Sequence, residues 1–368
     1  MSDVIDTETK PLRHGYTTGA CATATAKAAL TMLITQMKLE ESEIWLPAGF
    51  FHTFELIECE ITRDMAQCAT IKDGGDDPDA THKAKIVCTV TWSNEAGIEL
   101  DGGIGVGRVT KPGLPVEVGQ AAINPVPRRM ILKAVQEVLE DYEVGDRGVR
   151  VVISVPDGEE MAKKTLNARL GIIGGISILG TRGTVVPFST AAYKASIIQA
   201  LLVARASECR HVVLTTGGSS EKYAMKLHPE LPEEAFIQMG DFVGFSLKHA
   251  KRLSAERISL VGMMGKFSKV AQGVMMVHSK SAPVDFDFLA DVAGEAGCPD
   301  SVQQTIKEAN TASQAADLAI EAGVAKYFEL LCRYASEHAV NHVEGGVIVD
   351  TALVTMKGEL LGRAEIVG

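Results

Sequence analysis

Thr17, Thr18 and Gly19 stand at the head of a run of small residues, LRHGYTTGACATATAKAAL. A helix start exposes unpaired N–H groups and a partial positive charge, and so accepts anions. Thr hydroxyls and a glycine let a ligand approach the backbone there. The same residues also suit a capped core helix that packs closely on a sheet. A second candidate is KDGGDDPDATH, with Asp73, Asp76, Asp77 and Asp79 ahead of His82. Clustered carboxylates tune one another's protonation or hold a polar ligand, and Asp76, Asp77 and His82 are the acid–base candidates. The spacing does not fit an EF-hand, and a solvated acidic turn has the same composition.

GGIGVGRVTKPGLPVEVGQAAINPVPRR is dense in Gly and Pro and carries Arg108, Lys111, Arg128 and Arg129. GGIGVG is not G-x-G-x-x-G, so a dinucleotide reading is weak. Guanidinium groups grip carboxylates through paired hydrogen bonds, and solvated surface charge is the alternative. LTTGGSSEKYA ends a strand-like run, and GMMGK ends another. Ligands of open α/β sheets bind outside the carboxyl ends of strands. Thr215, Thr216, Gly217, Gly218 and Ser219, with Gly262, Met263 and Gly265, are therefore placed for a nucleotide-like group. Neither turn is a Walker A motif, and an ordinary strand-to-helix turn reads alike. His278 and Ser279 follow shortly after, and a lone His is more often structural.

The elements that must position these residues fall into two grammars. Helical periodicity covers 18–38 and 130–142. Short β-rich runs, EIWLP, FELIECEIT, CATI and KIVCTVTW, fill about 42–100, and VRVVISVP is a buried strand. From about 190 the order becomes helix, strand, Gly turn, helix (241–253), strand, Gly turn, helix. That is the pattern of a parallel α/β sheet. Four helical stretches follow at 285–339, and VEGGVIVDTALV supplies a closing strand. The domain boundary is placed between 190 and 210, giving domains 1–200 and 201–368.

The chain has 368 residues, 46% of them apolar, and a formal net charge of -11. That length favours two cores. The acidic balance argues against nucleic-acid binding, which needs a basic face, but leaves room for a local anion site. Seven cysteines with no C-x-x-C argue against a disulfide framework or a cysteine zinc site, and for a reduced cytoplasm. MSDVIDTETK has no signal-peptide core, and no apolar run spans a membrane.

Five stretches in one order resemble the cobalt-precorrin-5B (C1)-methyltransferase family of anaerobic cobalamin biosynthesis. They are LRHGYTTGACATA, KDGGDDPDATH, GIGVGRVTKPGLPVEVGQAAINPVPR, GISILGTRGTVVPFS and GMMGKFSKVAQG, spread over about 12–290. The chain departs from the family pattern at Val277–His278–Ser279, at Gly240–Asp241 and at Arg182. The resemblance implies an N-terminal α+β domain and a C-terminal α/β domain similar to Rossmann-like methyltransferases. It implies methyl transfer from S-adenosylmethionine to C1 of cobalt-precorrin-5B, giving cobalt-precorrin-6A. Donor-binding residues are then expected at Thr215–Ser219, Asp241, Gly262, Met263 and Gly265. Thr17, Thr18, Gly19, Lys111, Arg128, Arg129, Lys266 and His278 are expected at the tetrapyrrole. Cobalt arrives with the substrate, so no protein metal ligands are expected. A homo-oligomer is compatible with all of this. A non-catalytic tetrapyrrole carrier and a nucleotide-dependent oxidoreductase are the rival classes.

Overall fold

The computed structural model describes residues 11–368, so the stretch MSDVIDTETK lies outside it. The chain divides into two compact units, Met1–Ser189 and Thr190–Gly368. Helix Thr190–Ala206 belongs wholly to the second unit, and a cut at residue 200 would pass through it. The two units are α/β-mixed in different ways.

In the first unit, five strands lie in the order Ile57–Ile61, Met65–Ile71, Lys85–Ser93, Gly148–Ser154, Ile98–Gly102. Neighbours are antiparallel except the last pair. Alternation in Lys85–Ser93 and Gly148–Ser154 turns Ile86, Cys88, Val90, Val149, Val151 and Ile153 to one buried face. Helix Thr18–Thr35 lies on that face and also packs on helix Pro125–Asp141. It is buried nearly all round, which explains its thin side chains: Ala and Thr let backbone approach sheet and helix at once. Adding bulk there would cost about 1–3 kcal/mol through overpacking. Thr23 and Thr25 bond back to the Gly19 and Cys21 carbonyls, so their hydroxyls are satisfied in the core. The helix ends at Thr35, three residues earlier than its apolar pattern suggests, because Gln36 turns left-handed and caps Met32 O. The second helix begins at Pro125 rather than 130, since proline is at home at a first helical position.

The Gly/Pro segment is ordered by short pairings. Gly105–Val106 runs parallel to Gly175–Ile176, and Arg108–Val109 pairs antiparallel with Ile172–Ile173. Gly105 has φ +70, and a Cβ there would lie 1.8 Å from the Val155 carbonyl oxygen. GGIGVG is therefore a backbone crossing point.

In the second unit, the sheet order is Phe236–Gln238, His211–Thr215, Arg257–Gly262, Ile348–Val354, Leu360–Val367. The first four are parallel and the last is antiparallel. Ile348–Val354 does not close the sheet as its sequence suggests, because LLGRAEIV adds a further strand beside it. Val212, Leu214, Ile258 and Leu260 face one core, while Val213, Val261 and Ala352 face another with Ala224 of helix Gly218–Leu227. Both faces are covered, as a parallel sheet requires. Numbered along the chain, the strand order is 2-1-3-4-5, so it reverses between His211–Thr215 and Arg257–Gly262. The carboxyl ends of those two strands flank the switch point.

Candidate functional site

The switch point brings together the two Gly turns singled out in the sequence. Thr215 is fully buried and its carbonyl accepts from Met239 N at 2.7 Å, so its task is to join neighbouring strand ends. Beyond it, Thr216 and Ser220 face each other with hydroxyl oxygens 3.3 Å apart. A Cβ added at Gly217 or Gly265 meets nothing within 4 Å, and one at Gly218 meets only Gln238 Nε2 at 3.8 Å. Open space thus lies over both turns. Gly262 differs: a Cβ there would strike the Phe267 ring at 2.1 Å, so this glycine makes room for packing. Ser219 is exposed and Met263 half-buried.

Polar groups border that space. Asp241 Oδ1 lies 3.0 Å from Lys266 Nζ, yet this buried oxygen has no hydrogen bond of good angle. Glu221, in the first turn of its helix, is buried and accepts from Gln238 Nε2 at 2.8 Å. Gly240, at φ +59, sits against the Tyr193 hydroxyl. Burial raises the Tyr193 pKa, and the Asp241 and Glu221 charges raise it further. Val277 N bonds to Asp241 O at 3.1 Å, which sets the exposed His278 next along the chain. His278 Nδ1 accepts from Lys280 N at 3.1 Å. Tyr193, Glu221 and Gln238 were not anticipated. Each lies outside the Gly turns, and only the strand order reveals their common address.

In the first unit, Arg128 and Arg129 line a cavity of about 380 Å³ with Pro115, Val116, Glu117, Gln120, Ile123 and Pro125. Among the described residues neither guanidinium makes an ion pair or a hydrogen bond. Two prolines in the first turn, Pro125 and Pro127, remove backbone donors there, so the cavity's anion-binding capacity rests on the arginines. Lys111 is not brought to this cavity. Its stem packs over Gly171 and its Nζ donates to the Arg169 carbonyl at 3.4 Å. Arg108 pairs with Asp101 at 2.8 Å.

The TTG helix start is corrected by the structure. Thr17 and Thr18 are 5% and 2% exposed. Thr17 accepts from Ala20 N at 3.2 Å as the N-cap. Thr18 Oγ1 accepts from Leu179 N at 2.9 Å and shares its proton between the Ser177 and Leu179 carbonyls, each at 3.3 Å. Gly19 N donates to Leu179 O at 3.0 Å, and a Cβ on Gly19 would strike Pro127 at 2.6 Å. Donors that an anion would need are spent within the chain, Thr17 N and Gly19 N on the 177–183 segment and Ala20 N on Thr17 Oγ1, so this helix start is a clamp.

The acidic loop is likewise cross-braced. Arg13 pairs with Asp73 through both guanidinium arms, and Arg13 N donates to Asp76 Oδ2 at 2.7 Å. The Arg13 hydrogen bond holds the Asp73 carboxyl down at about 2. Lys72, fully buried, is paired with Asp79, which also accepts from Thr81 N and Oγ1 at 2.7 and 2.6 Å. Burial pushes the Asp79 pKa up, but Lys72 and Thr81 outweigh it and the net shift is downward. Asp77 accepts from Phe188 N at 2.8 Å, and His82 Nδ1 from Gly74 N at 3.0 Å.

Comparison with known proteins decides the family. The CbiD profile matches residues 5–187, and the profile of the CbiD C-terminal domain matches 276–365. A Priestia megaterium protein named cobalt-precorrin-5B C(1)-methyltransferase is 64% identical, with 97% of each chain covered.

The chain belongs to the CbiD family.

A Geobacillus sp. (strain WCH70) relative of the same name is 63% identical, with 96% of this CbiD chain and 97% of that one covered. A crystal structure described as a cobalamin biosynthesis protein (cbiD) from Archaeoglobus fulgidus is 28% identical over 85% of each chain, with a TM-score of 0.38. In this CbiD-family protein, no helix among the described residues is long and apolar enough to cross a membrane, and all seven cysteines are free.

Proposed function

We propose that this protein is a cytoplasmic S-adenosylmethionine-dependent C-methyltransferase that methylates C1 of cobalt-precorrin-5B, giving cobalt-precorrin-6A. The observation that carries this reading is 64% identity over nearly the whole length to a protein of that name. The donor is assigned to the switch point of the second unit, read as akin to Rossmann-like methyltransferases. Three observations support the fit: the open space over Gly217 and Gly265, the buried carboxylate of Glu221, and the Asp241 oxygen without a well-angled hydrogen bond.

S-adenosylmethionine supplies a methyl group already activated on a sulfonium. The protein's own task is then mainly positioning, with reacting atoms about 3–3.5 Å apart. Gly217 and Gly265 let the backbone approach the donor. Glu221 and Asp241 offer carboxylate oxygens to hydroxyls or positive charge, and the Asp241–Lys266 pair keeps that carboxylate in place. Arg128 and Arg129 hold a peripheral carboxylate of the tetrapyrrole in their cavity, whose volume suits a side arm rather than the macrocycle. Asp76, Asp77 and His82 are the acid–base candidates. His82 accepts at Nδ1, so its Nε2–H is the edge that can pass a proton.

The test is incubation with cobalt-precorrin-5B and methyl-labelled S-adenosylmethionine. Label in the tetrapyrrole, located at C1 by NMR, is the expected result. Tetrapyrrole binding without label transfer would make the protein a carrier. Binding of NAD(P) in place of S-adenosylmethionine would make it an oxidoreductase.

A further inference from the structure

At the opposite end of strand His211–Thr215 from the switch point, three potential metal ligands converge. His211 opens the strand, His228 caps the end of helix Gly218–Leu227, and Glu230 follows two residues later. One ligand atom from each can be chosen so that all lie within 4.8 Å of one another. The imidazole rings stand perpendicular, with centroids 5.1 Å apart. His228 Nδ1 lies 3.5 Å from Glu230 Oε1. Two ligands with bonds of about 2.0–2.1 Å to a tetrahedral ion are separated by about 3.3 Å, so this pair is already near that spacing.

Two further observations set the cluster apart from a chance meeting of surface groups. His228 is 4% exposed, and its Nε2 is buried without a hydrogen-bond partner. No neighbour therefore fixes this ring's tautomer, and Nδ1, the nitrogen 3.5 Å from Glu230, is free to present its lone pair. His211, in contrast, is oriented from behind. Ser259 donates to the buried carboxylate of Asp350, which Arg363 fixes through Nε at 2.9 Å and Nη2 at 2.7 Å. With its proton so committed, Ser259 Oγ accepts from His211 Nε2 at 2.7 Å. That leaves the lone pair of His211 on Nδ1. A carboxylate-anchored relay that fixes one ring nitrogen as donor and frees the other is the usual support of a metal-binding histidine.

We propose that His211, His228 and Glu230 bind one divalent transition ion of the zinc type, with solvent completing the coordination. Two imidazoles and a carboxylate suit such an ion rather than Mg²⁺ or Ca²⁺. The exposed Glu230 side chain closes the site from the solvent side. The ion ties the first residue of a central strand to the end of the helix that returns over it, and so its effect is on the stability of the second unit. The proposal is independent of the methyl-transfer reading.

The experiment is calorimetric titration of Zn²⁺ into metal-stripped, full-length, untagged protein, with thermal melting in parallel. One equivalent bound and a raised melting temperature are expected. His228→Gln and Glu230→Gln should each weaken binding tenfold or more and reduce the thermal shift. Glu230→Gln alters an exposed side chain and leaves the fold intact, so it decides the matter even if His228→Gln unfolds. Absence of a bound equivalent in the wild type, or unchanged affinity in Glu230→Gln, would overturn the site.

Discussion

Thr18 grips both polar groups of the Leu179 backbone, accepting from its N–H at 2.9 Å and donating to its carbonyl at 3.3 Å. The contact spans 161 residues of sequence and is half-buried, Thr18 lying inside and Leu179 at the surface. Thr18→Val keeps the shape and removes the hydroxyl, leaving the Leu179 amide unsatisfied. A loss of about 1–3 kcal/mol in urea unfolding is expected, with Thr18→Ser close to wild type. A Thr18→Val protein as stable as the parent would show that the clamp contributes nothing.

Gly217 separates binding from folding. Its backbone is extended, which any residue adopts, and its surroundings are open. Gly217→Val should therefore melt within about 0.5 kcal/mol of wild type. Its side chain would project into the proposed donor space and weaken S-adenosylhomocysteine binding tenfold or more, about 1.4 kcal/mol. Equal affinity by calorimetry would move the donor site elsewhere. Gly262→Ala should do the reverse, because its methyl meets the Phe267 ring.

Arg128 and Arg129 should act on the tetrapyrrole and spare the donor. Arg128→Ala is expected to raise KM by an amount worth about 1.5–3 kcal/mol if the lost contact is desolvated, with kcat changed less. Arg129, more exposed, should cost less. Normal turnover by both variants at low substrate would reduce the pair to surface charge.

The braces of the acidic loop predict an acid limb of stability. Asp73 is held at about 2 in the fold against 3.8 for the free side chain. A carboxyl with a lowered folded pKa contributes fully above its unfolded value and loses that contribution as pH falls through the folded one. Stability should thus drop between about pH 4 and pH 2, and the drop should shrink in Asp73→Asn. Asp79 moves in the same direction. Lys72→Met should be harsher at neutral pH, about 3 kcal/mol, since it strips the partner from a largely buried carboxylate. Acid titration of the melting temperature checks both.

The sequence was most readable where function and local grammar coincide. Strand, Gly turn and helix recur at Thr215–Ser219 and Gly262–Lys266, and neighbouring residues alone carry that pattern. It was least readable where partners are distant. The helix dipole made Thr17–Gly19 resemble an anion site, but the 177–183 segment that occupies it lies some 160 residues away. Asp73, Asp76 and Asp79 looked like a functional cluster because composition cannot show that Arg13 and a buried Lys72 neutralise two of them. Lys111 stood near Arg128 in the sequence, yet the chain turns it toward Arg169. His211, His228 and Glu230 carry no recognised ligand spacing, and only the return of a helix onto its strand unites them.

The Thr18 clamp and the pairing of Gly15–Tyr16 with Thr184–Val185 close the first unit like a belt, with its tongue at one end of the segment and its buckle at the other. A chain leaving the ribosome makes the tongue first and the buckle about 160 residues later. Helix Thr18–Thr35 can settle on its sheet only as a loosely held element until then, and long-range closure is the slow part of such folding. A nascent chain stalled near residue 170 already contains all five strands of the main sheet, both long helices and the Arg13 braces to Asp73 and Asp76, but not the segment that Thr18 grips.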